Sequence, residues 1–380
     1  MISPTPRLLP LLVLPLLGLT AQPGPEVSHA TVRREAGRFF GWPANHGAWQ
    51  WGDEILVQYR AGSFLDKPPG SHDLDMKQPV TVEQSRSLDG GRTWTHETTP
   101  FVVTEPGWGT QGVTDKRPAL ATPLDFSDPD VIVSFLWEGS LYHSSDRGRT
   151  WHGPFALPKL GLHSWQLRTD YLVEGPRTLR AFWSGSFDTL PRDENGGMVF
   201  MVLTTDGGLT WTREARVSRR TDATADRHDA VLMPSTVRVS PTKLVTCVRN
   251  LSIPPKFGWI ECRVSLDNGA TWNLQSMPVG DEAGTTPPAL TRLSDGRLVL
   301  TYGHRKPLRG PTSIRAKISR DDGRTWGEEI ILRSGGGDED IGYTRNLLRP
   351  DGRLITFYYW NNDEKTEREI AATIWAPPAR

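Results

Sequence analysis

The sequence has 380 residues, and its charges balance, with 44 Lys and Arg against 44 Asp and Glu. Because no net charge is available to attract polyanions over long range, the composition argues against a nucleic-acid or anionic-membrane binder. The two cysteines and nine histidines show no spacing of the metal-binding kind. The sequence therefore predicts neither a metal nor another cofactor.

The first 21 residues have the features of a secretory signal peptide. Arg7 precedes an apolar run from Leu8 to Leu19, and Thr20 and Ala21 follow it. The run is too short to span a bilayer, although an uncleaved anchor is the alternative. We therefore expect a secreted or periplasmic protein, with no integral membrane segment after signal cleavage and one domain over residues 22–380.

One eight-residue pattern organises the rest of the chain. It first occurs at Ser87 to Trp94, with a hydroxyl residue first, Asp third, Gly fifth, Thr seventh and Trp eighth. An Asp that accepts backbone N–H groups, with a Gly at positive φ, predicts a tight turn anchored by the Trp. The pattern returns at Ser144 to Trp151, Thr204 to Trp211, Ser265 to Trp272 and Ser319 to Trp326.

The spacing of these turns predicts a β-propeller. Successive Trp residues lie 57, 60, 61 and 54 positions apart, which suits a four-stranded sheet with its loops. Short apolar runs between turn signals predict strands. We expect an all-β, six-bladed propeller of four-stranded antiparallel blades. The sixth blade lacks the turn pattern and a fourth strand, so Val27 to Glu35 should supply that strand and close the ring.

A second set of six turns places the functional face. These turns should join the first and second strands of each blade, on the same face as the Trp-anchored turns: Gly52 to Glu54, Asp128 to Asp130, Glu174 to Pro176, Ser240 to Thr242, Ser294 to Gly296 and Pro350 to Gly352. The opposite face carries the longer loops, and function is expected there. Cys247 and Cys262 fall on adjacent strands of the fourth blade, where either a disulfide or two free thiols is possible.

The mouth of the propeller on that face is rich in arginine. A ring of several guanidinium groups suggests a carboxylate, sulfate or phosphate ligand, although any one Arg can instead be a solvated or structural residue. The predicted substrate-binding residues are Arg249, Arg305, Arg345, Arg117, His46 and Asn45, and Arg168, Arg227 and His228 lie nearby.

The repeated turns resemble those of the Asp-box, or bacterial neuraminidase repeat, proteins, whose best-known members are six-bladed sialidases. The resemblance implies that Tyr343, within Ile341 to Thr344, is a nucleophile, since a Tyr has that role in sialidases. A phenol needs a carboxylate base and nearby cations, and Asp229, Asp340 and Glu339 are available. Tyr343 can also be a stacking or hydrogen-bonding residue.

The other sialidase positions match only in part. The general acid should come from the loop Gly62 to Gln78, where Asp75 beside His72 is favoured over Asp66 and Asp73. Met233 falls where sialidases have a Glu. The stretch Phe40 to Gly47 lacks the first-blade Arg, while Arg249 fits one position of the sialidase Arg cluster and Arg305 or Arg309 another.

The catalytic residues are therefore predicted to be Tyr343, Asp75 and Asp229, in an exo-acting glycoside hydrolase for an acidic sugar of a glycan or polysaccharide. The carbohydrate is the expected partner. A uronate polysaccharide lyase would use Arg249, Arg305, Tyr343 and His46 differently. A non-catalytic carbohydrate-binding propeller is the third alternative.

Overall fold

The computed structural model describes residues 27–68, 70–101, 116–162, 164–186, 197–219, 228–253, 257–280, 284–305, 312–362 and 367–379. The predicted signal peptide, residues 1–21, lies outside them, as do Arg227 and Arg309. These described ranges contain strands and turns but no helix. The all-β prediction is confirmed.

The strands form six antiparallel sheets arranged as the blades of a propeller. Blade 1 contains β2 (Arg38–Gly41), β3 (Ala48–Trp51), β4 (Glu54–Ser63), β5 (Thr81–Ser87) and β6 (Thr95–Glu97). Blade 2 contains β7 (Ile132–Leu136), β8 (Ser140–Ser144) and β9 (His152–Ala156). Blade 3 contains β10 (Ser164–Trp165), β11 (Tyr171–Val173), β12 (Leu179–Ser186), β13 (Met198–Thr204) and β14 (Thr212–Arg219).

The second half of the chain repeats this plan. Blade 4 contains β15 (His228–Arg238), β16 (Leu244–Ile253), β17 (Phe257–Ser265) and β18 (Asn273–Val279). Blade 5 contains β19 (Gly284–Thr285), β20 (Ala289–Arg292), β21 (Leu298–Arg305), β22 (Thr312–Ser319) and β23 (Ile330–Gly336). Blade 6 contains β24 (Gly342–Leu348), β25 (Leu354–Trp360), β26 (Glu369–Trp375) and, from the start of the described chain, β1 (Val27–Arg33).

The N-terminal strand closes the ring, as the sequence predicted. β1 pairs antiparallel with β26, from Val27 opposite Trp375 to Arg33 opposite Ile370. The first strand of blade 6 begins at Gly342. It contains a bulge between Gly342 and Arg345, which lets the strand continue past an irregular stretch.

The Asp boxes join the last two strands of blades 1 to 5 and are built as predicted. In the first box, the Asp89 carboxylate accepts hydrogen bonds from the backbone N–H of Thr93 at 2.9 Å and from its hydroxyl at 2.6 Å. Ser87 Oγ donates to the same carboxylate and accepts from the N–H of Gly91, both at 2.8 Å. These contacts satisfy the turn internally, so the box Trp is free to pack between blades.

The second blade differs from the four-stranded prediction. Its described part has three strands, and residues 116–124 ahead of them form no strand. Pro118 and Pro123 lie in this stretch, and each lacks the N–H that a ladder requires. In blade 4, Cys247 and Cys262 face each other across β16 and β17 and form a disulfide, which decides between the two sequence alternatives.

Candidate functional site

The innermost strand is interrupted near the propeller mouth in blades 1, 3, 4, 5 and 6. It breaks between β2 and β3, between β10 and β11 and between β19 and β20, and it bulges in β15 and β24. Trp42, Met233 and Tyr343 lie at three of these interruptions with φ of 58°, 58° and 54°. Bulky residues rarely adopt this left-handed conformation, and such strain concentrates at functional sites. The interruptions turn these three side chains out of the ladder.

Tyr343 is held in place by a close approach of blades 5 and 6. A Cβ added to Gly303 would lie 2.9 Å from the Cα of Gly342, and one added to Gly342 would lie 2.6 Å from Thr286 Cγ2. Only glycine therefore fits at this contact. The carbonyl of Tyr343 accepts a hydrogen bond from the N–H of Ala44 at 3.2 Å, which ties it to blade 1.

Two arginines predicted to bind substrate flank Tyr343. Arg249 Nη1 donates a hydrogen bond to its hydroxyl at 3.3 Å, and the guanidinium carbon lies 5.7 Å from the ring centre. The guanidinium of Arg305 lies 5.5 Å from the same ring. Burial lowers the pKa of Arg249. Two cations around one phenol favour an anionic ligand or a developing phenolate.

A histidine and a carboxylate complete this cluster. His72 Nδ1 lies 2.5 Å from Asp340 Oδ1, and Tyr359 donates its hydroxyl to the same oxygen at 2.6 Å. The rings of His72 and Tyr343 lie 6.1 Å apart, and Trp42 packs edge-on against His72 at 4.8 Å. The side chains of His72 and Arg305 retain 19% and 14% exposure, so the cluster reaches solvent on their side.

The charges of this pair differ. Burial, opposed by Asp340 and reinforced by Arg305, lowers the pKa of His72 and favours the neutral ring. Burial alone would raise the pKa of Asp340, but His72, Arg305 and Arg368 hold it well below its usual range. Asp340 is therefore a carboxylate at neutral pH. With Nδ1–H donated to it, neutral His72 carries its lone pair on Nε2, the form of an oriented base.

The buried Arg368 pairs with the carboxylates of Asp73, Asp338 and Asp340. It is fully buried, donates to Asp338 Oδ2 at 2.5 Å and to the Asp340 carbonyl at 3.1 Å, and pairs with Asp73. The N–H of Asp73 in turn donates to Asp340 Oδ2 at 3.1 Å. Burial raises the pKa of Asp73 to about 6 despite the Arg368 contact. The loop after β4 is thereby fixed to blade 6, which positions His72.

The other arginines expected at the mouth bind backbone carbonyls or a hydroxyl group of the protein. Arg345 Nη1 donates to the carbonyl of Thr169 at 2.7 Å, and Arg168 Nη1 donates to those of Met233 and Pro288 at 3.2 and 2.7 Å. Burial, aided by Arg345, lowers the pKa of Arg168 to about 9. Arg117 donates to the hydroxyl of Ser140. These contacts connect backbones of different blades, or hold a hairpin.

Asn45 and His46, which are predicted to bind substrate, lie in the segment between β2 and β3. The carbonyl of Asn45 accepts from the N–H of Thr169 at 3.2 Å. His46 is 1% exposed, and neither ring nitrogen has a hydrogen-bond partner in the described part of the chain. Burial and Arg60 place its pKa well below the usual value, so the ring is neutral.

Two predicted catalytic carboxylates are not joined to the Tyr343 cluster. Asp75 accepts a hydrogen bond from the N–H of Lys77 at 2.9 Å, and no hydrogen bond or ion pair among the described residues links it to Tyr343. The backbone of Asp229 belongs to β15, but its side chain, like that of His228, lies outside the described part of the chain. Their roles stay predictions.

Sequence reasoning did not identify His72, Tyr359, Arg368 or Arg60 as site residues. His72 and Asp340 are 268 positions apart, and no local sequence pattern predicts their contact. The only local signal is position, since Tyr359 and Arg368 lie near the mouth ends of β25 and β26. Within the described ranges, no group of His, Cys, Asp and Glu side chains could hold a metal ion. No helix there is long and apolar enough to cross a membrane.

The fold and the mouth define a six-bladed propeller with a tyrosine, two arginines and a histidine–carboxylate pair at one face. The chain belongs to the BNR repeat-like domain family, whose model matches residues 131–357. A search of curated proteins finds no match.

Solved structures with the same fold are remote in sequence. A protein of unknown function from Dyadobacter fermentans is 20% identical, with a TM-score of 0.66, over 94% of this chain and 100% of its own. The α-L-arabinofuranosidase Arb93A from Fusarium graminearum is 14% identical, with a TM-score of 0.53, over 88% and 96%. NanB sialidase from Streptococcus pneumoniae is 12% identical, with a TM-score of 0.54, over 90% and 68%. These likenesses establish the sialidase-like propeller fold.

Proposed function

We propose that this protein is an exported glycoside hydrolase that removes an acidic sugar from the end of a glycan or polysaccharide. The observation that carries the proposal is the placement of Tyr343 between Arg249 and Arg305, with the Arg249 hydrogen bond at 3.3 Å. The sialidase and arabinofuranosidase that share the fold are both glycosidases by name. Fold alone does not carry function, so the argument depends on the site.

The acidic group of the sugar would be bound by the two guanidinium groups. Arg305 already donates Nε and Nη2 to the carbonyl of Ile341 and Nη2 to the hydroxyl of Tyr359, so it would reach the carboxylate through Nη1. Arg249 donates only Nη1 among the described residues, so more of its guanidinium remains for the ligand. Among the described residues, Arg249 Nε has no hydrogen-bond partner, so a donor remains for a ligand. A neutral sugar would leave the buried guanidinium of Arg249 without a carboxylate, and the site would discriminate against it.

In the proposed reaction, the oxygen of Tyr343 forms a bond to the anomeric carbon as the bond to the leaving oxygen breaks. The phenol proton passes to His72, which Asp340 orients, and an acid of the loop after β4 protonates the leaving oxygen. Asp75 is the predicted acid. Water then hydrolyses the tyrosyl bond and restores the hydroxyl, so the product keeps its anomeric configuration.

One observation favours a uronate lyase as the second candidate. Within the described residues, no carboxylate is hydrogen-bonded to Tyr343, whereas a neutral His and two Arg adjoin it. In a lyase, the arginines would neutralise the uronate carboxylate, His72 would remove the C5 proton and Tyr343 would protonate the departing oxygen. The same groups would thus perform an elimination.

Export is proposed from two features. The apolar run Leu8 to Leu19 has signal-peptide length. The Cys247–Cys262 disulfide suits an oxidising compartment outside the cytosol. The mass of the protein recovered from periplasm or medium should correspond to a chain that begins near residue 22, and a full-length chain retained in membranes would contradict export.

The deciding experiment is incubation with a panel of acidic and neutral oligosaccharides, followed by product mass measurement. A hydrolase adds the mass of water and releases single acidic sugars. An unsaturated product without added water would replace the hydrolase by the lyase. Binding without any product would leave a carbohydrate-binding propeller, and release of neutral sugars would overturn the acidic specificity.

A further inference from the structure

A further cation, Arg60, lies near the indole of Trp42, which also adjoins the Tyr343 cluster. The guanidinium of Arg60, on β4, is 6.0 Å from the Trp42 ring, and that ring also lies 6.4 Å from Tyr343. His46 belongs to the same segment as Trp42, and burial and then the charge of Arg60 lower its pKa. The indole of Trp42 therefore adjoins both Arg60 and the Tyr343 cluster.

Arg60 has no partner that would explain its burial. It is 9% exposed, its Nε is enclosed, and it forms no hydrogen bond or ion pair with any described residue. Burial lowers the pKa of Arg60, and the charge of Glu138 opposes that shift, but no hydrogen bond joins the two among the described residues, and the Glu138 carboxylate accepts from Ser140 Oγ at 3.2 Å. An unpaired buried cation costs several kcal/mol in general. Such a residue is retained at the expense of stability.

The contrast with Arg168 supports a ligand rather than a structural role. Arg168 is also buried, but its Nη1 binds two backbone carbonyls from blades 4 and 5 and so holds the ring together. Arg168 Nε and Nη2 lack partners within the described ranges, as Arg60 Nε does, but Arg60 has no such backbone contact there, and neither nitrogen of the buried His46 is hydrogen-bonded to a described residue. A neutral imidazole can donate one hydrogen bond to an anion that the guanidinium holds.

We propose that Arg60, His46 and the adjoining face of Trp42 form a second subsite that binds an anionic group on the sugar next to the one that reacts. This inference rests on the proposed function, since the first subsite is the Tyr343 pocket. The preferred substrate is then an oligosaccharide with acidic groups on both terminal units. The second group is a carboxylate or a sulfate, because a guanidinium binds either.

The test compares three forms of the acidic sugar that the product assay identifies: linked to p-nitrophenol, to a uronic acid, and to a sulfated sugar. Wild type should have a higher kcat/KM for the two substrates whose second sugar is acidic than for the p-nitrophenyl form. Whichever of these two substrates has the higher kcat/KM shows whether the subsite prefers a carboxylate or a sulfate. Arg60→Met should lower that kcat/KM at least tenfold, mainly through KM, and change the p-nitrophenyl form less than twofold. An equal loss on all three forms would overturn the subsite.

Thermal stability separates a ligand-binding role from a structural one. Arg60→Met keeps the volume and removes an unpaired buried charge, so its melting temperature should equal or exceed that of wild type. Arg324→Met, which removes an exposed charge from the fifth Asp box, is the matched control and should change neither quantity. A large fall in melting temperature for Arg60→Met would make Arg60 a structural residue and refute the proposal.

Failure of the proposed function gives a different result. If wild type turns over none of the panel, the hydrolase proposal is wrong, and calorimetric binding of a uronate disaccharide and its neutral counterpart then decides on the subsite. Wild type should prefer the acidic disaccharide, and Arg60→Met should lose at least tenfold of that affinity. Arg60→Lys should recover part of it, because charge returns without the planar fork. Equal binding by wild type and Arg60→Met would reject the subsite.

Discussion

Replacing Tyr343 by Phe tests whether the phenol oxygen takes the glycosyl group. The change deletes one oxygen whose only hydrogen bond among the described residues is the 3.3 Å contact with Arg249. A hydrogen bond to a charged group stabilises a fold by about 1.5 to 3 kcal/mol. Because this contact is long, we expect a stability loss near the lower limit and a folded variant.

The catalytic loss should be far larger than the stability loss. Removal of a nucleophile typically costs about 10³-fold or more in kcat, or at least about 4 kcal/mol of transition-state stabilisation. KM should stay within a few fold, since Arg249 and Arg305 still bind the acidic group. The assay is initial-rate kinetics on the acidic substrate, with melting temperature measured in parallel.

The result must also separate a nucleophile from a proton donor. With a slow fluorinated substrate, intact mass should show a glycosyl adduct on wild type and none on Tyr343→Phe. Tyr359→Phe is the matched control, because it removes a hydroxyl bound to Asp340 and Arg305 without removing the proposed nucleophile. Tyr343→Phe enzyme with more than about a tenth of wild-type activity would exclude covalent catalysis through that oxygen.

Three further predictions concern the scaffold and its pH dependence. Trp211→Ala should destabilise the fold by about 3 to 5 kcal/mol, because the buried Trp211 ring packs 5.3 Å from that of Trp183. Trp326 is less buried, so Trp326→Ala should destabilise the fold less. Neither folded variant should lose kcat. Deletion of Val27–Arg33 should lower the melting temperature sharply, since it reopens the edge of β26, and an unchanged melting curve would contradict ring closure. Because the pKa of His46 is lowered in the folded chain, the unfolded chain takes up the proton first as pH falls below about 6.5, and stability should fall by up to about 1.4 kcal/mol per pH unit. Chemical unfolding at pH 5 to 7 should therefore show a smaller change of stability with pH for His46→Gln than for wild type. An equal change in both proteins would refute the buried neutral ring.

The fold could be predicted because its information is local and repeated. Each Asp box satisfies its own hydrogen bonds, as Ser87, Asp89 and Thr93 show, so eight residues suffice to specify the turn. The even spacing of the boxes then fixes the size of the blades. Ring closure followed from a missing strand at one end and an unassigned strand at the other. The absent first strand in the described part of blade 2 could have been suspected from Pro118 and Pro123.

The site could be predicted only in part. Tyr343, Arg249 and Arg305 follow from strand ends that converge at a propeller mouth, and the structure brings them together. The His72 to Asp340 contact depends on how a 17-residue loop between β4 and β5 folds back onto blade 6. Loop conformations of this length have no periodic signal. Asp75, the predicted acid, lies in the same loop, but the side chain that reaches Asp340 is that of His72.

The strained residues at the mouth explain why the blades need such well-satisfied turns on the other face. Trp42, Met233 and Tyr343 each occupy the left-handed region, at a general cost of about 1 to 3 kcal/mol apiece. Arg60 adds a buried cation that has no ion pair among the described residues. These costs persist because the surrounding structure compensates for them, through the self-contained Asp boxes, the interblade Trp contacts and the strand that closes the ring. If strain and the unpaired charge serve binding, variants that relax them should gain stability while they lose activity, whereas variants of the boxes should lose stability and keep their turnover.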